Sequence, residues 1–330
     1  MTGSINRRAM LVGGVMLGGA VLASCHRRGA ASDTVLRAAI TGKGDSDIRL
    51  LLKTAGIAPE GFTIDYSTFP SGQQVIEAMN GGSLDVGSMS EIPPVFAAAS
   101  ATQSFRQIGI IHGDVNNQVL LVPKGSAIGD LAGLKGKRVG YVRATTSQYF
   151  LIRMLQSVGL GWGDITPIAM GVSDGAAAFS NGALDAWAIY GFPIQRAIAT
   201  EGARVLRTAL GFLSGNYILS AHKDALADPA TVDLIGRYIR LHKRGFAWAT
   251  AHEDRWAQIA AQEIGVPLDY VRDQFRRKSD PYTIRPVTPD VIASQQRVAD
   301  VFAAQKLIPG PVDMRPLWDD RFNRIIEERV

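Results

Sequence analysis

The chain has 330 residues, of which 46% are hydrophobic and 20% are charged, so it can bury a sizeable core and is not a disordered protein. This length predicts about two domains. The formal net charge is +5, and it falls to about +3 without the two arginines of the N-terminal leader. No dense block of Lys and Arg follows the leader, which argues against a nucleic-acid partner.

Residues 1–24 have the layout of a secretory signal peptide. The pair Arg7-Arg8 precedes an uncharged apolar run, Leu11 to Ala23, which is too short to span a bilayer as a mature helix. The twin arginine resembles the Tat signal, which exports folded proteins. Sec export is the alternative, because Asn6 stands where a serine is usual.

Cys25 is the only cysteine, and it ends the run Leu22-Ala23-Ser24-Cys25. This run resembles a bacterial lipoprotein box, in which the cysteine becomes the lipidated first residue of the mature chain. The alternative is a plain cleavage site with a chance cysteine. A single cysteine also leaves no internal disulfide, no cysteine nucleophile and no cysteine-based metal site.

Two stretches one hundred positions apart follow the same order. Residues 78–93 and 178–193 each give a helix end, a glycine turn, Leu-Asp, a short apolar strand and a loop that ends in proline. Gly82 and Gly182 favour the left-handed conformation that ends a helix. Ligands of parallel α/β sheets bind at the carboxyl ends of strands, so the repeat predicts two lobes that face one cleft. Coincidence is the alternative, because these residues are common.

The remaining pattern predicts an α/β chain with two βαβαβ units, two crossings between them and a helical C-terminal block that packs on the first unit. The strands are predicted at 35–40, 62–66 and 84–88 in the first unit, and within 131–141 and at 165–170 and 184–187 in the second. The crossings are predicted at 118–123 and 216–220, and the C-terminal helices at 229–251, 253–264, 267–277 and 289–306.

Four motifs carry a family resemblance: residues 131–139 (LAGLKGKRV), residues 145–151 (TTSQYFL), Pro70-Ser71-Gly72 and Leu184-Asp185-Ala186-Trp187. Together they resemble the periplasmic solute-binding proteins of ABC importers, in the branch that binds aliphatic sulfonates, taurine and nitrate. The resemblance runs in order from about residue 33 to residue 325.

The resemblance implies a type II periplasmic-binding-protein fold, in which two βαβ-type lobes are joined by two hinge crossings and close around a ligand. With the predicted crossings, lobe 1 comprises residues 33–120 plus 217–330, and lobe 2 comprises residues 121–216. The resemblance also implies a monomer that works with an ABC permease and its ATPase at the periplasmic face of the membrane.

An anion needs hydrogen-bond donors and positive partial charge, and a helix N-terminus supplies both. Thr145, Thr146 and Ser147 open the helix after a strand and are predicted to bind the anion through their N–H groups and hydroxyls. Ordinary N-capping is the alternative. Lys43, just past the first strand, is predicted to pair with the anion or with Asp45.

Other polar residues follow the strands of both lobes. Ser71 and Ser90 are predicted as further donors, unless they only cap helices. Glu91 is expected to meet an amine on the ligand, as in a taurine-like zwitterion, or to lie on the rim. Asn216, beside Tyr217 at the second crossing, is expected to reach the cleft or to hold the hinge.

Trp187 and Tyr190 are predicted to form an aromatic wall for an apolar ligand tail, and core packing is the alternative for Trp187. Asp85 and Asp185 stand at matching strand starts and are predicted to be structural.

The sequence therefore predicts a lipid-anchored, extracytoplasmic protein that captures a small anionic organic solute for an ABC importer, with no catalytic residue, metal or cofactor. No nucleophile elbow or phosphate loop occurs, and the five histidines show no metal-binding spacing. His242 and His252 are predicted on a solvated helix surface. The alternatives are an enzyme on the same scaffold, acting on a pyrimidine or sulfate ester, and a sensor that feeds a membrane receptor.

Overall fold

The predicted α/β pattern is present in a computed structural model that describes residues 34–41, 47–100 and 103–329. The first elements are β1 (Val35–Thr41), α1 (Ile48–Ala55), β2 (Thr63–Phe69), α2 (Gly72–Asn80), β3 (Val86–Ser90), α3 (Pro93–Ala98) and β4 (Phe105–His112). The next are β5 (Gln118–Val122), β6 (Arg138–Tyr141), α4 (Thr146–Ser157), β7 (Thr166–Ala169), α5 (Val172–Ser180), β8 (Ala186–Tyr190), α6 (Pro193–Glu201) and β9 (Arg204–Thr208). The last are β10 (Asn216–His222), α7 (Lys223–Ala227), α8 (Pro229–Ala251), α9 (Glu253–Ile264), α10 (Leu268–Arg276), β11 (Thr283–Arg285), α11 (Pro289–Ala304) and α12 (Asn323–Glu327).

The described strands form two sheets, and each sheet is the centre of one lobe. The order is β11-β4-β10-β3-β1-β2 in lobe 1 and β7-β6-β8-β5-β9 in lobe 2. In each lobe three neighbouring strands run parallel, and a fourth strand, β10 or β5, is antiparallel to them. The order β2-β1-β3-β10-β4 thus matches β7-β6-β8-β5-β9, so the two halves predicted from the sequence repeat are built alike.

Two segments carry the chain between the lobes. Crossing 1 (residues 113–117) leads from β4 to β5, and crossing 2 (residues 209–215) leads from β9 to β10. They lie side by side, because the N–H of Gly113 donates to the carbonyl of Gly215 at 3.0 Å. The observed lobe boundaries differ slightly from the predicted ones, since residues 118–120 already pair in the sheet of lobe 2 and Asn216 already pairs in that of lobe 1.

An arginine–aspartate clasp occurs once in each lobe. In lobe 1, Asp85 accepts hydrogen bonds from the backbone N (2.8 Å), Nε (3.1 Å) and Nη2 (2.5 Å) of Arg37 on β1. In lobe 2, Asp185 accepts from the backbone N (2.8 Å), Nε (3.1 Å) and Nη2 (2.9 Å) of Arg138 on β6. The structural role predicted for the two aspartates is therefore confirmed.

Each clasp also fixes the turn before the third strand of its lobe. The guanidinium of Arg37 donates to the carbonyl of Gly82 (2.7 Å), and that of Arg138 donates to the carbonyl of Gly182 (2.9 Å). Both glycines are left-handed, with φ of 70° and 77°, as predicted. The hydrogen bonds from Arg138 hold the pKa of Asp185 below its usual value. Because side chains alternate along a strand, a fixed start determines which residues reach the strand's far tip.

The C-terminal helices α8, α9 and α10 pack on lobe 1, as predicted, in one apolar cluster with residues of β1, β4 and β10. One detail of the prediction is wrong: His242 on α8 is 1% exposed. Its ring lies edge-on to Tyr238 with centroids 4.4 Å apart, and burial lowers its pKa to about 4. Tyr238, His242 and Phe246 recur every four residues, so this histidine belongs to the buried face of the helix.

Strand β11, which pairs with β4, has no counterpart among the predicted elements, and neither does the segment that precedes it. Residues 277–282 bind crossing 1. Asp114 Oδ1 accepts from the N–H of Ser279 (2.9 Å), and Ser279 Oγ accepts from the N–H of Val115 (2.9 Å). The ring of Tyr282 lies so close to Gly113 that an added Cβ there would come within 2.2 Å of it. Lobe 1 therefore holds one end of the hinge firmly.

No helix among residues 34–41, 47–100 and 103–329 is long and apolar enough to cross a membrane. The predicted signal peptide, Cys25 and Lys43 all lie outside the described residues.

The clasp in lobe 1 can be tested by Asp85→Asn, which keeps the shape of the side chain but removes its charge. We expect the free energy of unfolding to fall by about 1–3 kcal/mol, because several hydrogen bonds to a charged group are weakened at a buried position. Urea denaturation at pH 7 measures this loss. Asp313→Asn is the matched control, since it breaks an exposed pair with Arg315 and should leave the midpoint nearly unchanged.

Candidate functional site

The tips of the parallel strands of both lobes meet beside the crossings. Ser90, at the tip of β3, pairs with Tyr217 on β10, and Tyr190, at the tip of β8, pairs with Gln118 on β5. Gln118 Nε2 donates to the hydroxyl of Tyr217 at 2.9 Å. These contacts form a continuous path from the tip of β3 to the tip of β8. The residues that follow the strands therefore lie where the two lobes meet, and we call this region the cleft.

On the lobe 2 side of the cleft, helix α4 begins just past the tip of β6. The loop before it is tightly shaped: Ala144 has φ of 56°, and its N–H donates to Gln148 Oε1 at 2.8 Å. Thr145 is the N-cap and accepts a hydrogen bond from the N–H of Ser147. The first amides of a helix have no partner inside it and form the positive end of its dipole. A strained loop that presents such an end fits an anion-binding site.

Two of the three hydroxyls predicted to bind the ligand are engaged within this loop. Thr145 Oγ1 donates to the carbonyl of Val142 at 2.7 Å, and Ser147 Oγ accepts from the N–H of Val142 at 2.9 Å. Both side chains are buried. In the part of the chain that the structure describes, the hydroxyl of Thr146 makes no hydrogen bond. Thr145 and Ser147 therefore shape the loop. Of the three hydroxyls, only that of Thr146 has no hydrogen-bond partner among the described residues, although the residue is also buried, at 7% exposed.

Of the two residues predicted to form an aromatic wall, only Tyr190 lies beside the start of α4. The hydroxyl of Tyr190 lies beside Thr145 at the start of α4, and burial raises its pKa to about 12, although the hydrogen bond with Thr145 opposes this. Trp187 is 1% exposed, and its ring packs against that of Phe179 with centroids 5.6 Å apart. Its side chain belongs to the core under α5, because alternation along β8 turns it away from the face that α4 covers.

Glu91, just past the tip of β3, is not on the rim of the cleft, because it is only 2% exposed. Its Oε1 accepts a hydrogen bond from Ser214 Oγ on crossing 2 at 2.5 Å, and its carbonyl accepts from Gln295 Nε2 at 3.1 Å. Its Oε2 is buried without a hydrogen-bond partner among the described residues. Burial raises the pKa of Glu91 to about 7, although Ser214 and Arg297 oppose the shift.

Ser71 and Asn216 have different roles. Ser71 stands at the N-cap of α2 without capping it through its side chain, so its hydroxyl does not serve the helix. The next residue, Gly72, packs so tightly that an added Cβ would come within 2.7 Å of Met89 on β3. Asn216 Oδ1 lies 3.0 Å from Nδ1 of its strand partner His112, at the point where β4 leads into crossing 1 and β10 follows crossing 2, which supports the hinge alternative.

Sequence reasoning missed three residues that organise the cleft: Gln118, Gln148 and Ser214. Gln148 lies in the motif of residues 145–151, directly after the predicted donors, so the sequence could have indicated its role in this loop. Gln118 and Ser214 acquire their roles only where the crossings bring the lobes together, and no local pattern marks them.

The chemistry that these cleft residues offer is hydrogen bonding and charge. Among the described residues, no group of three or more His, Cys, Asp or Glu could hold a metal ion. A cavity of about 220 Å³ lies in lobe 1, between the end of α8, the start of α9 and residues 278–282. None of the residues predicted to bind the ligand lines that cavity.

Residues 57–255 match the family model described as NMT1/THI5 like. A putative aliphatic sulfonates-binding protein of Escherichia coli K12 is 32% identical over 257 residues, which is 77% of this chain and 79% of the relative. The alkanesulfonate-binding protein SsuA of Xanthomonas axonopodis pv. citri, solved bound to MOPS, is 29% identical, with a TM-score of 0.77 over 88% of this chain and 99% of that chain. These similarities confirm the predicted fold class.

The desulfurization enzyme DSZB also aligns, with a TM-score of 0.62 at 17% identity over 88% of this chain and 98% of that chain. At that identity the likeness extends to the fold alone.

The role of Thr146 can be tested by Thr146→Ala. If its hydroxyl donates to a bound anion, affinity for a small sulfonate such as ethanesulfonate should fall roughly 10- to 100-fold, since a hydrogen bond to a charged group contributes about 1.5–3 kcal/mol. Isothermal titration calorimetry measures the affinity. The melting temperature should fall only slightly, because the hydroxyl makes no internal bond and the loss is limited to one buried methyl group.

Two variants calibrate that result. Thr146→Ser keeps the hydroxyl and should bind almost as the native protein does. Ser147→Ala should instead lower the melting temperature, because it removes the hydrogen bond from Val142. Unchanged affinity of Thr146→Ala would exclude this hydroxyl from the site.

Proposed function

Because the chain belongs to the NMT1/THI5-like family of periplasmic solute-binding proteins, we propose that it captures a small organic sulfonate and delivers it unchanged to an ABC importer. The family membership rests on the matched residues 57–255 and on the sulfonate-binding relatives. The sulfonate is the ligand class named for those relatives.

The observation that carries the proposal is the start of α4 in the cleft. A sulfonate group has three acceptor oxygens and one delocalised negative charge, so it needs several donors and positive partial charge. Thr145 caps the amide of Ser147, and the first turn of α4 offers its other amides, the positive end of the helix dipole and the hydroxyl of Thr146. Ser71 and Ser90 approach the same gap from lobe 1 and are proposed as further donors.

Capture is proposed to proceed by closure of the lobes about the two crossings. Tyr149 and Ile152 of α4 already pack in one apolar cluster with Phe302 of α11, and the rings of Tyr149 and Phe302 have centroids 5.9 Å apart. The helix that presents the donors is thus also an element of lobe 2 that touches lobe 1. A ligand bound at its N-terminus would add to the same inter-lobe contact.

The proposed location and anchor follow from the leader, and the proposed partners follow from the family resemblance. We place the protein at the extracytoplasmic face of the membrane, anchored by a lipid on Cys25 and exported by the Tat or the Sec route. Its partners are a permease and an ATPase, and it acts as a monomer. An enzyme or a sensor on this scaffold is not favoured, because the fold-level likeness to DSZB transfers no active site.

The ligand class can be tested by thermal unfolding of the purified mature protein with ethanesulfonate, taurine, sulfate, nitrate or uracil. Sulfonates at about 100 times their dissociation constant should stabilise the native state by about 2.7 kcal/mol, which raises the melting temperature by several degrees. Turnover of the ligand, followed by mass spectrometry, should be absent. A selective response to uracil, or a changed ligand, would contradict the proposal.

The anchor can be tested by Cys25→Ser in cells. A lipidated cysteine is the proposed attachment, so the variant should move from the membrane fraction to the soluble periplasmic fraction. Fractionation followed by immunoblotting measures the distribution. Persistent membrane association of the variant would show that Cys25 is not the anchor.

A further inference from the structure

Glu91 is an unusual group to find at the end of a buried strand in an anion-binding cleft. Its side chain is held by Ser214 on one oxygen, and the other oxygen, Oε2, is enclosed without a partner among the described residues. An ionised carboxylate in such a place leaves a buried charge without compensation, which is costly. The neutral acid removes that charge and turns Oε2 into a donor.

The groups that face Glu91 come from three elements. Crossing 2 supplies Ser214, α11 supplies Gln295 and the more distant charge of Arg297, and α4 supplies Tyr149. Burial raises the pKa of Tyr149, and among its charged neighbours Arg153 lowers it whereas Glu91 raises it. Ile92, the residue after Glu91, packs in one apolar cluster with Tyr149 and Ile152 of α4. Glu91 therefore lies on the side of lobe 1 that packs against α4, the helix whose first turn is proposed to bind the anion.

A sulfonate at that position and an ionised Glu91 exclude each other. Sulfonic acids are strong acids, so the ligand stays anionic and can only accept hydrogen bonds. A neighbouring carboxylate would repel it, whereas a neutral carboxylic acid would donate to it. Because Oε1 already accepts from Ser214, the acid proton falls on Oε2, the oxygen that lacks a partner.

We propose that Glu91 binds the ligand as a neutral acid, with Oε2–H donating to a sulfonate oxygen, so that capture of the anion takes up one proton from solvent when Glu91 is ionised. The step is a protonation of the carboxylate, and no other bond forms or breaks. This inference rests on the proposed function and assigns Glu91 the part of an acid donor instead of a counter-charge for a ligand amine.

The consequence is a pH-dependent affinity. In the free protein the pKa of Glu91 is raised to about 7, mainly by burial, and a bound anion would raise it further. Below pH 6 the acid form is already present and affinity is at its maximum. Above pH 7 each bound ligand must bring a proton with it, so affinity should fall by up to about tenfold per pH unit.

The experiment is calorimetric titration of ethanesulfonate into the native protein and into Glu91→Gln from pH 6 to pH 8.5. Phosphate, imidazole and Tris are suitable buffers, because sulfonate-bearing buffers such as MOPS would compete. At pH 8, titrations in buffers of different ionisation enthalpy give the protons taken up. The native protein should take up more than about half a proton. The carboxamide of the variant donates without titrating, so its affinity should match the native value at pH 6, stay flat to pH 8.5 and show no uptake.

Three outcomes would overturn the inference. Absent proton uptake by the native protein, or an unchanged pH profile in Glu91→Gln, would show that Glu91 is not the titrating donor. A variant that loses taurine but keeps ethanesulfonate would show a counter-charge for an amine. Glu253→Gln, an exposed change of the same kind, should reproduce the native profile. Failure of the native protein to bind any sulfonate at pH 6 would instead refute the proposed function.

Thermal unfolding of the ligand-free proteins gives a readout that does not depend on binding. A raised folded pKa makes the stability from Glu91 complete below its unfolded pKa and lost as pH rises through about 7. Between pH 6 and pH 8 the melting temperature of the native protein should therefore fall more than that of Glu91→Gln. If the melting temperatures of the two proteins change in parallel from pH 6 to pH 8, Glu91 does not titrate in this range, and the inference is contradicted.

Discussion

A charged hydrogen-bond pair sets the frame of both lobes. The clasps of Arg37 with Asp85 and of Arg138 with Asp185 tie the first strand of each sheet to the start of the third. Parallel strands have no tight turn to set their register, so a link at the strand start is an effective way to do so. Once the starts are fixed, Ser90 and Tyr190 fall at the opposite tips, where the cleft lies.

The cleft exists because each lobe inserts one strand that follows a crossing. β5 pairs with β8 and β10 pairs with β3, so the crossings emerge directly beside the strand tips. Residues that hold the hinge and residues at the cleft are therefore neighbours. Ser214 of crossing 2 donates to Glu91, which follows the tip of β3. Gln118, the first residue of β5 after crossing 1, donates to Tyr217 on β10.

Under the proposed function, the two sides of the cleft suit a ligand that can only accept hydrogen bonds. Lobe 2 contributes a helix end whose donors are backbone amides, and the hydroxyls of Thr145 and Ser147 are used to build it. Lobe 1 contributes Glu91, whose burial favours the neutral form. A site built of neutral donors and partial charges can release its ligand to a partner, because no full opposite charge has to be separated from the anion.

The sequence by itself determined most of the elements, the internal repeat, the structural role of the two aspartates and the start of helix α4. These are local features, written in strand and helix periodicity, in glycines at helix ends and in the Leu-Asp spacing. Periodicity could also have shown that His242 is buried. Only the tertiary structure decided that Trp187 packs in the core, that Ser147 and Thr145 serve their own loop, and that Glu91 is enclosed beside crossing 2. Burial and hydrogen-bond partners at these positions come from segments far apart in the chain, so no local pattern encodes them.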